Sequence, residues 1–103
     1  VILLNTAHIR LADFTASEGG LASSIVEPHL IFRRAILEHA AAVICIHNHP
    51  SGNPEPSRED ILITRQLARA GKVVGIPLRD HIIIAGDTYT SLAERGLTTS
   101  GDE

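Results

Sequence analysis

The stretch Ala42-Val-Ile-Cys-Ile-His47 constrains this chain more than any other. A short, nearly continuous apolar run of this kind predicts a central strand covered on both faces. Further strands must flank it and helices must cover it, and the rest of the chain supplies both. Val1–Leu4 reads as a strand, Asn5-Thr-Ala-His8 as a hairpin turn, and Ile9 to about Glu18 as a second strand. In that second strand Ala12, Phe14 and Ala16 alternate with Asp13, Thr15 and Ser17, so period two puts the even positions on the buried face. Gly19-Gly20 breaks the strand. Glu27-Pro28 then opens a helix expected to reach about Ala40 and to bury Ile31, Phe32, Ala35 and Ile36.

A second helix is expected from Ser57 to Gly71, with the glycine as a left-handed cap. Val73–Ile76 and His81–Ala85 read as strands, Gly86-Asp87 as a turn, and Ser91–Arg95 as a last short helix. The order ββαβαββα predicts an α/β domain, a mixed sheet with helices packed on it. Residues 1–96 are expected to form that domain, and residues 97–103 a frayed C-terminal tail. A chain of 103 residues fits one core. The absence of methionine suggests a piece of something longer.

No apolar stretch approaches the roughly 20 residues of a membrane helix, so no membrane role is expected. With a single cysteine, Cys45, and no secretory leader pattern, the expected location is cytoplasmic. The net charge of −3 has the wrong sign for a surface that binds nucleic acid through phosphates, and 3% aromatics leave little to stack bases on.

The chemistry concentrates in HNHPSGNPEPSRED, His47 to Asp60. Two histidines two residues apart at a strand end leave the same face and can converge on one ion, with Asn48 pointing away. A carboxylate would complete the three protein ligands of a catalytic zinc, leaving the fourth position for water. Asp60 is the natural third, because at ~100° per residue it shares an inward helical arc with Ile63, Leu67 and Ala70. Arg58, Arg65 and Arg69 fall on the opposite arc. The rival reading makes Asp60 the partner of Ser57 in a capping box, since Ser-x-x-acid is a common helix start. Ser57 is then the N-cap, and its hydroxyl can also face a developing oxyanion. Cys45 reads as core. His8, His29 and His39 read as surface, and Asp80-His81 as a structural pair or an outer support for the site.

His-x-His-Pro followed by Ser-x-x-Asp, with seven residues between His49 and Ser57, resembles the JAMM metalloprotease motif. The longer string, with "SSIVEP" before it and "AGKVVGIPLRDHIIIAGD" and "SLAERGL" after it, is similar to bacterial RadC proteins across nearly the whole chain. The resemblance implies a cytidine-deaminase-like three-layer α/β/α fold, one zinc held by His47, His49 and Asp60, and Ser57 near the bound water. It also implies an N-terminal helix-hairpin-helix region outside this sequence. Such enzymes need a glutamate as general base. Glu18 continues the buried even face, an unusual place for an unpaired carboxylate, and so is the candidate. Here the sequence departs from the pattern: family members carry acids nearer Phe14 or Thr15, so Glu18 replaces them or the base is absent.

The expected function is therefore zinc-dependent hydrolysis of an amide or isopeptide bond in a polypeptide or other amide-containing substrate. The alternative is a DNA-repair accessory or binding module without catalysis. Its only patch would be Arg58, Arg65 and Arg69, or a nucleic-acid site in the missing region. A third alternative is non-haem iron in a two-His, one-carboxylate site, over which the serine spacing and the motif match favour zinc.

Overall fold

A computed structural model describes residues 1–7, 10–13 and 27–98 of the chain. The second strand beyond Asp13, with Phe14, Ala16 and Glu18, lies outside the described residues, as do His8 and positions 99–103 of the expected tail. The elements run β1 (Ile2–Leu4), β2 (Arg10–Asp13), α1 (Pro28–Leu37), β3 (Ala42–Asn48), α2 (Arg58–Val74), β4 (Leu78–Ala85) and β5 (Thr88–Ser91).

The β1–β2 hairpin begins at an Asn5 turn, where the side-chain Oδ1 accepts from the backbone N–H of Ala7 at 2.9 Å. Helix α1 starts with Pro28 behind Glu27 as expected, but stops at Leu37 rather than near Ala40. His39 adopts a left-handed φ of 56°, and the Ala40 N–H returns to the Ala35 carbonyl while the His39 N–H bonds that of Ile36. This closure satisfies the last carbonyls and turns the chain into β3. Ile31, Phe32 and Ala35 are buried, whereas Ile36, expected in the core, is 52% exposed.

Helix α2 corrects two expectations. It runs past Gly71 to Val74, so the proposed strand at Val73–Ile76 does not exist. The cap is Gly75, left-handed at φ 77°. Gly71 lies inside the helix for a different reason: a Cβ there would stand 2.5 Å from the Ile76 carbonyl oxygen and 3.3 Å from the Phe32 ring. Close approach of the returning chain, not helix termination, requires that glycine. Val73, read as a strand residue, is 81% exposed on the last turn.

Strand β5 is the element missed, a hairpin off β4 across the two-residue loop Gly86-Asp87. The last helix expected at Ser91–Arg95 is instead a series of hydrogen-bonded turns, with Arg95 N–H to the Leu92 carbonyl and Leu97 N–H closing back on the same oxygen. Asp80 organises it: Oδ2 accepts from the Ser91 hydroxyl at 2.7 Å, and Oδ1 from the Ala93 N–H at 3.0 Å.

The five strands form one sheet in the order β2-β1-β3-β4-β5, antiparallel except for the parallel β3–β4 pair. This is the expected α/β class with a mixed sheet. The connections β2-α1-β3 and β3-α2-β4 progress the same way across the sheet, so right-handed crossovers put both helices on one face. The core lies there, built from Leu3, Val43, Cys45 and Leu78 under Ile31, Phe32, Leu67 and Ala68. On the other face Ala42 is buried but Ile46 is 44% exposed, so the described residues cover that side of β3 only in part. No helix among the described residues is long and apolar enough to cross a membrane.

Candidate metal centre

Alternation along β3 points Val43, Cys45 and His47 toward the helices. The β3–β4 pairing continues one residue past the strand, with the His49 N–H bonded to the Ile84 carbonyl at 2.8 Å. His49 is thereby held at the carboxyl edge of the sheet, beside the start of α2. The chain then folds sharply: the Gly52 N–H reaches the His49 carbonyl, and Gly52 takes φ 82°. An Asn53 turn follows, its Oδ1 accepting from the Glu55 N–H at 3.0 Å. Glu55 is clamped from outside by a bidentate pair with Arg95, both bonds 2.9 Å, which holds its carboxyl below the usual range.

These turns deliver the first turn of α2 to the two histidines. Asp60 bridges them, with Oδ1 3.0 Å from His47 Nδ1 and Oδ2 2.9 Å from His49 Nε2. The imidazoles meet edge to face, centroids 4.8 Å apart. His49 Nδ1 lies 2.9 Å from the Asn53 carbonyl. A carbonyl only accepts, so Nδ1 carries a ring hydrogen, and Nε2 is the nitrogen turned toward Asp60. An imidazole nitrogen and a carboxylate oxygen at 2.9 Å hold a cation between them, a proton or a metal ion. The donor set suits the latter: one ligand atom each from His47, His49 and Asp60 lie within 4.8 Å of one another, and tetrahedral zinc places its ligands about 3.3 Å apart. The Asn53 carbonyl supplies the outer support that metal-binding imidazoles usually have. An open cleft of about 220 Å³ gives access, with Ser51, Ser57 and Glu59 on its rim.

The capping box and the ligand reading hold together. The Ser57 hydroxyl accepts from the Asp60 N–H at 3.1 Å, and the Ser57 N–H donates to Asp60 Oδ2 at 2.8 Å. Burial opposes ionisation of Asp60, but the hydrogen bonds from Ser57 and the charges of His47 and His49 outweigh it and lower its pKa. The carboxylate therefore stays ionised, as a ligand requires.

The remaining sequence-derived residues sort clearly. Cys45 is buried in the core, and burial pushes its thiol up to about 11. His29 and His39 are exposed. His81 is buried, and its Nδ1 lies 2.6 Å from the Thr64 hydroxyl. Burial, then the neighbouring His47, lowers its pKa to about 4, so it is neutral. Glu18 lies outside the described residues. Thr64 and the Asn53 carbonyl are the site neighbours that sequence reasoning missed. Thr64 was detectable, because it stands four residues after Asp60 and so shares its inward arc. A loop carbonyl leaves no such trace.

The profile of the RadC-like JAB domain matches residues 1–97 of the chain. Over 97 residues the chain is 68% identical to a UPF0758 protein of Salinibacter ruber, covering 94% of this chain and 42% of that protein. It is 51% identical over 96 residues to a UPF0758 protein of Desulforamulus reducens, covering 93% and 42%. It is 50% identical over 95 residues to one from Listeria monocytogenes serotype 4b, covering 92% and 42%. The chain thus spans about two fifths of the length of these curated relatives.

Proposed function

As the chain belongs to the RadC-like JAB domain family, we propose that it is a zinc-dependent hydrolase of the JAMM type, cleaving amide or isopeptide bonds in a polypeptide substrate. One observation carries the proposal: two imidazole nitrogens and an ionised, buried carboxylate converge at the floor of an open cleft. Zinc held by His47, His49 and Asp60 would supply Lewis-acid activation of a water, whose pKa then falls toward about 7.

The chain's own residues account for the other steps. Asp60 is kept anionic by Ser57 and the two histidines. The Ser57 hydroxyl accepts from the Asp60 N–H, so its own hydrogen is left for the cleft, where it can stabilise an oxyanion on the substrate carbonyl. Glu18 is the group we assign to take the water's proton and return it to the leaving amine, on the strength of strand parity and of the glutamate that this chemistry requires, although family members carry acids nearer positions 14 and 15. We place the reaction in the cytoplasm, the compartment that suits a lone buried thiol.

A panel of peptide and isopeptide substrates, incubated with the zinc-loaded chain with and without chelator, tests the reading. Chelator-sensitive cleavage is expected. Glu18→Gln should lower the rate at least ~10²-fold with zinc still bound, whereas Glu59→Gln, at the exposed cleft rim, should change it by no more than about threefold. Absence of cleavage by zinc-loaded protein would remove the hydrolase reading. In that case binding of DNA by the exposed Arg58, Arg65 and Arg69, weakening with added salt, would be the reading to pursue.

A further inference from the structure

Two polar side chains are sealed into the core beside the metal centre: Thr64 is 0% exposed and His81 4%. Burying a hydroxyl and an imidazole is costly unless both find hydrogen-bond partners. They find each other, with Thr64 Oγ1 2.6 Å from His81 Nδ1, and the Thr64 hydroxyl also donates to the Asp60 backbone carbonyl at 2.6 Å. A hydroxyl has one hydrogen. With that hydrogen on the Asp60 carbonyl, His81 carries its proton on Nδ1 and donates to Thr64. The result is a one-way chain from His81 through Thr64 to the residue whose carboxylate faces His47 and His49.

His81 also meets the other ligand-bearing element. Its ring lies nearly parallel to that of His47, centroids 6.1 Å apart and planes 12° from each other. Its strand, β4, runs parallel to β3, with His81 opposite Cys45 and Ile83 opposite His47. The Thr64–His81 pair therefore joins the first turn of α2 to the strands that present the histidines. Besides the contacts of Asp60 itself, the turns at 49–57 and apolar packing hold α2 against that edge. Apolar contacts set distance well and rotation poorly. A rotation of about 10° about the helix axis moves a carboxylate some 6 Å from that axis by about 1 Å, enough to spoil a ligand set.

We propose that Thr64 and His81 are positioning residues for the metal centre, fixing the rotation of α2 so that Asp60 meets His47 and His49. This rests on the metal reading above, and the test separates the two. Zinc affinity of the purified chain is measured by competition with a chromophoric chelator, alongside thermal melting in excess chelator and the absorption spectrum of the cobalt(II)-loaded chain. Thr64→Val keeps the shape and removes the hydroxyl. It should weaken zinc by about 10- to 100-fold and alter the cobalt spectrum, while Thr64→Ser, which restores the hydroxyl, should stay within about threefold of wild type. Should Thr64→Val fail to fold, His81→Phe, which keeps a ring against His47 but lacks the Nδ1 proton, is expected to show the same loss.

Wild-type affinity and spectrum in the variant would overturn the positioning role and leave the metal site standing. A lower melting temperature with unchanged affinity would also overturn it, by making the pair purely structural. If wild type and His49→Ala alike fail to bind zinc, the metal reading itself is gone and this inference with it.

Discussion

His49 approaches Asp60 with Nε2 2.9 Å from Oδ2 while its Nδ1 is committed to the Asn53 carbonyl at 2.9 Å. That commitment orients the ring, as a metal ligand would require. The loop carbonyl occupies Nδ1, so Nε2 is the nitrogen that faces the carboxylate, and a proton or a metal ion lies between them. The bend after the second histidine, which looks like mere turn chemistry in the sequence, is thus part of the centre.

Ser57 is expected to show two separable losses. Ser57→Ala removes the N-cap acceptor of α2 and should cost about 1 kcal/mol, lowering the melting temperature by roughly 4–8 °C. If the hydroxyl also serves the oxyanion, kcat should fall about 10²-fold or more with KM nearly unchanged. Calorimetry and steady-state kinetics on one preparation read both. Loss of stability with an intact kcat would confine Ser57 to capping.

His81 predicts a pH dependence of stability in metal-free protein. Its folded pKa of about 4 lies below the ordinary 6.5, so between these values the unfolded chain binds the proton and the folded chain does not. Stability should therefore fall as pH drops through that window, by on the order of 2 kcal/mol between pH 7 and pH 5 from this group. Denaturant melts across the range, compared with His81→Asn, measure it. The variant should show a shallower decline, and parallel curves would contradict the assignment.

Legibility in the sequence follows how local each interaction is. The His47-x-His49 spacing and the inward arc of Asp60 depend on strand and helix periodicity, and the structure brings all three side chains together. Thr64 and His81 depend on the register between α2 and β4, which no single element encodes. The end of α2 was misplaced because Gly71 and Gly75 look alike in sequence. Only the packing of the chain at Ile76 separates a glycine of close approach from a capping one. β5 escaped because Thr88–Ser91 is short and joins the sheet through a tight loop, while Ser91–Arg95 mimics a helix start that Asp80 captures into turns.

The two glycines carry a prediction of their own. Gly71→Ala forces a Cβ to within 2.5 Å of a backbone oxygen and should cost about 2 kcal/mol or more. Gly75→Ala meets nothing within 4 Å and bears only the strain of φ 77°, about 1 kcal/mol. Chemical denaturation of both variants should rank them in that order, and the reverse would show that the α2–β4 return is looser than described.

The central claim is that His47, His49 and Asp60 together hold one metal ion. Elemental analysis and zinc titration of the wild-type chain beside Asp60→Asn test it most directly, because asparagine keeps the side-chain shape and a hydrogen-bonding oxygen for the Ser57 N–H but discards the charge. The account predicts one zinc per wild-type chain and almost none in a variant that still folds. Equal zinc in both, or negligible zinc in both, would contradict it.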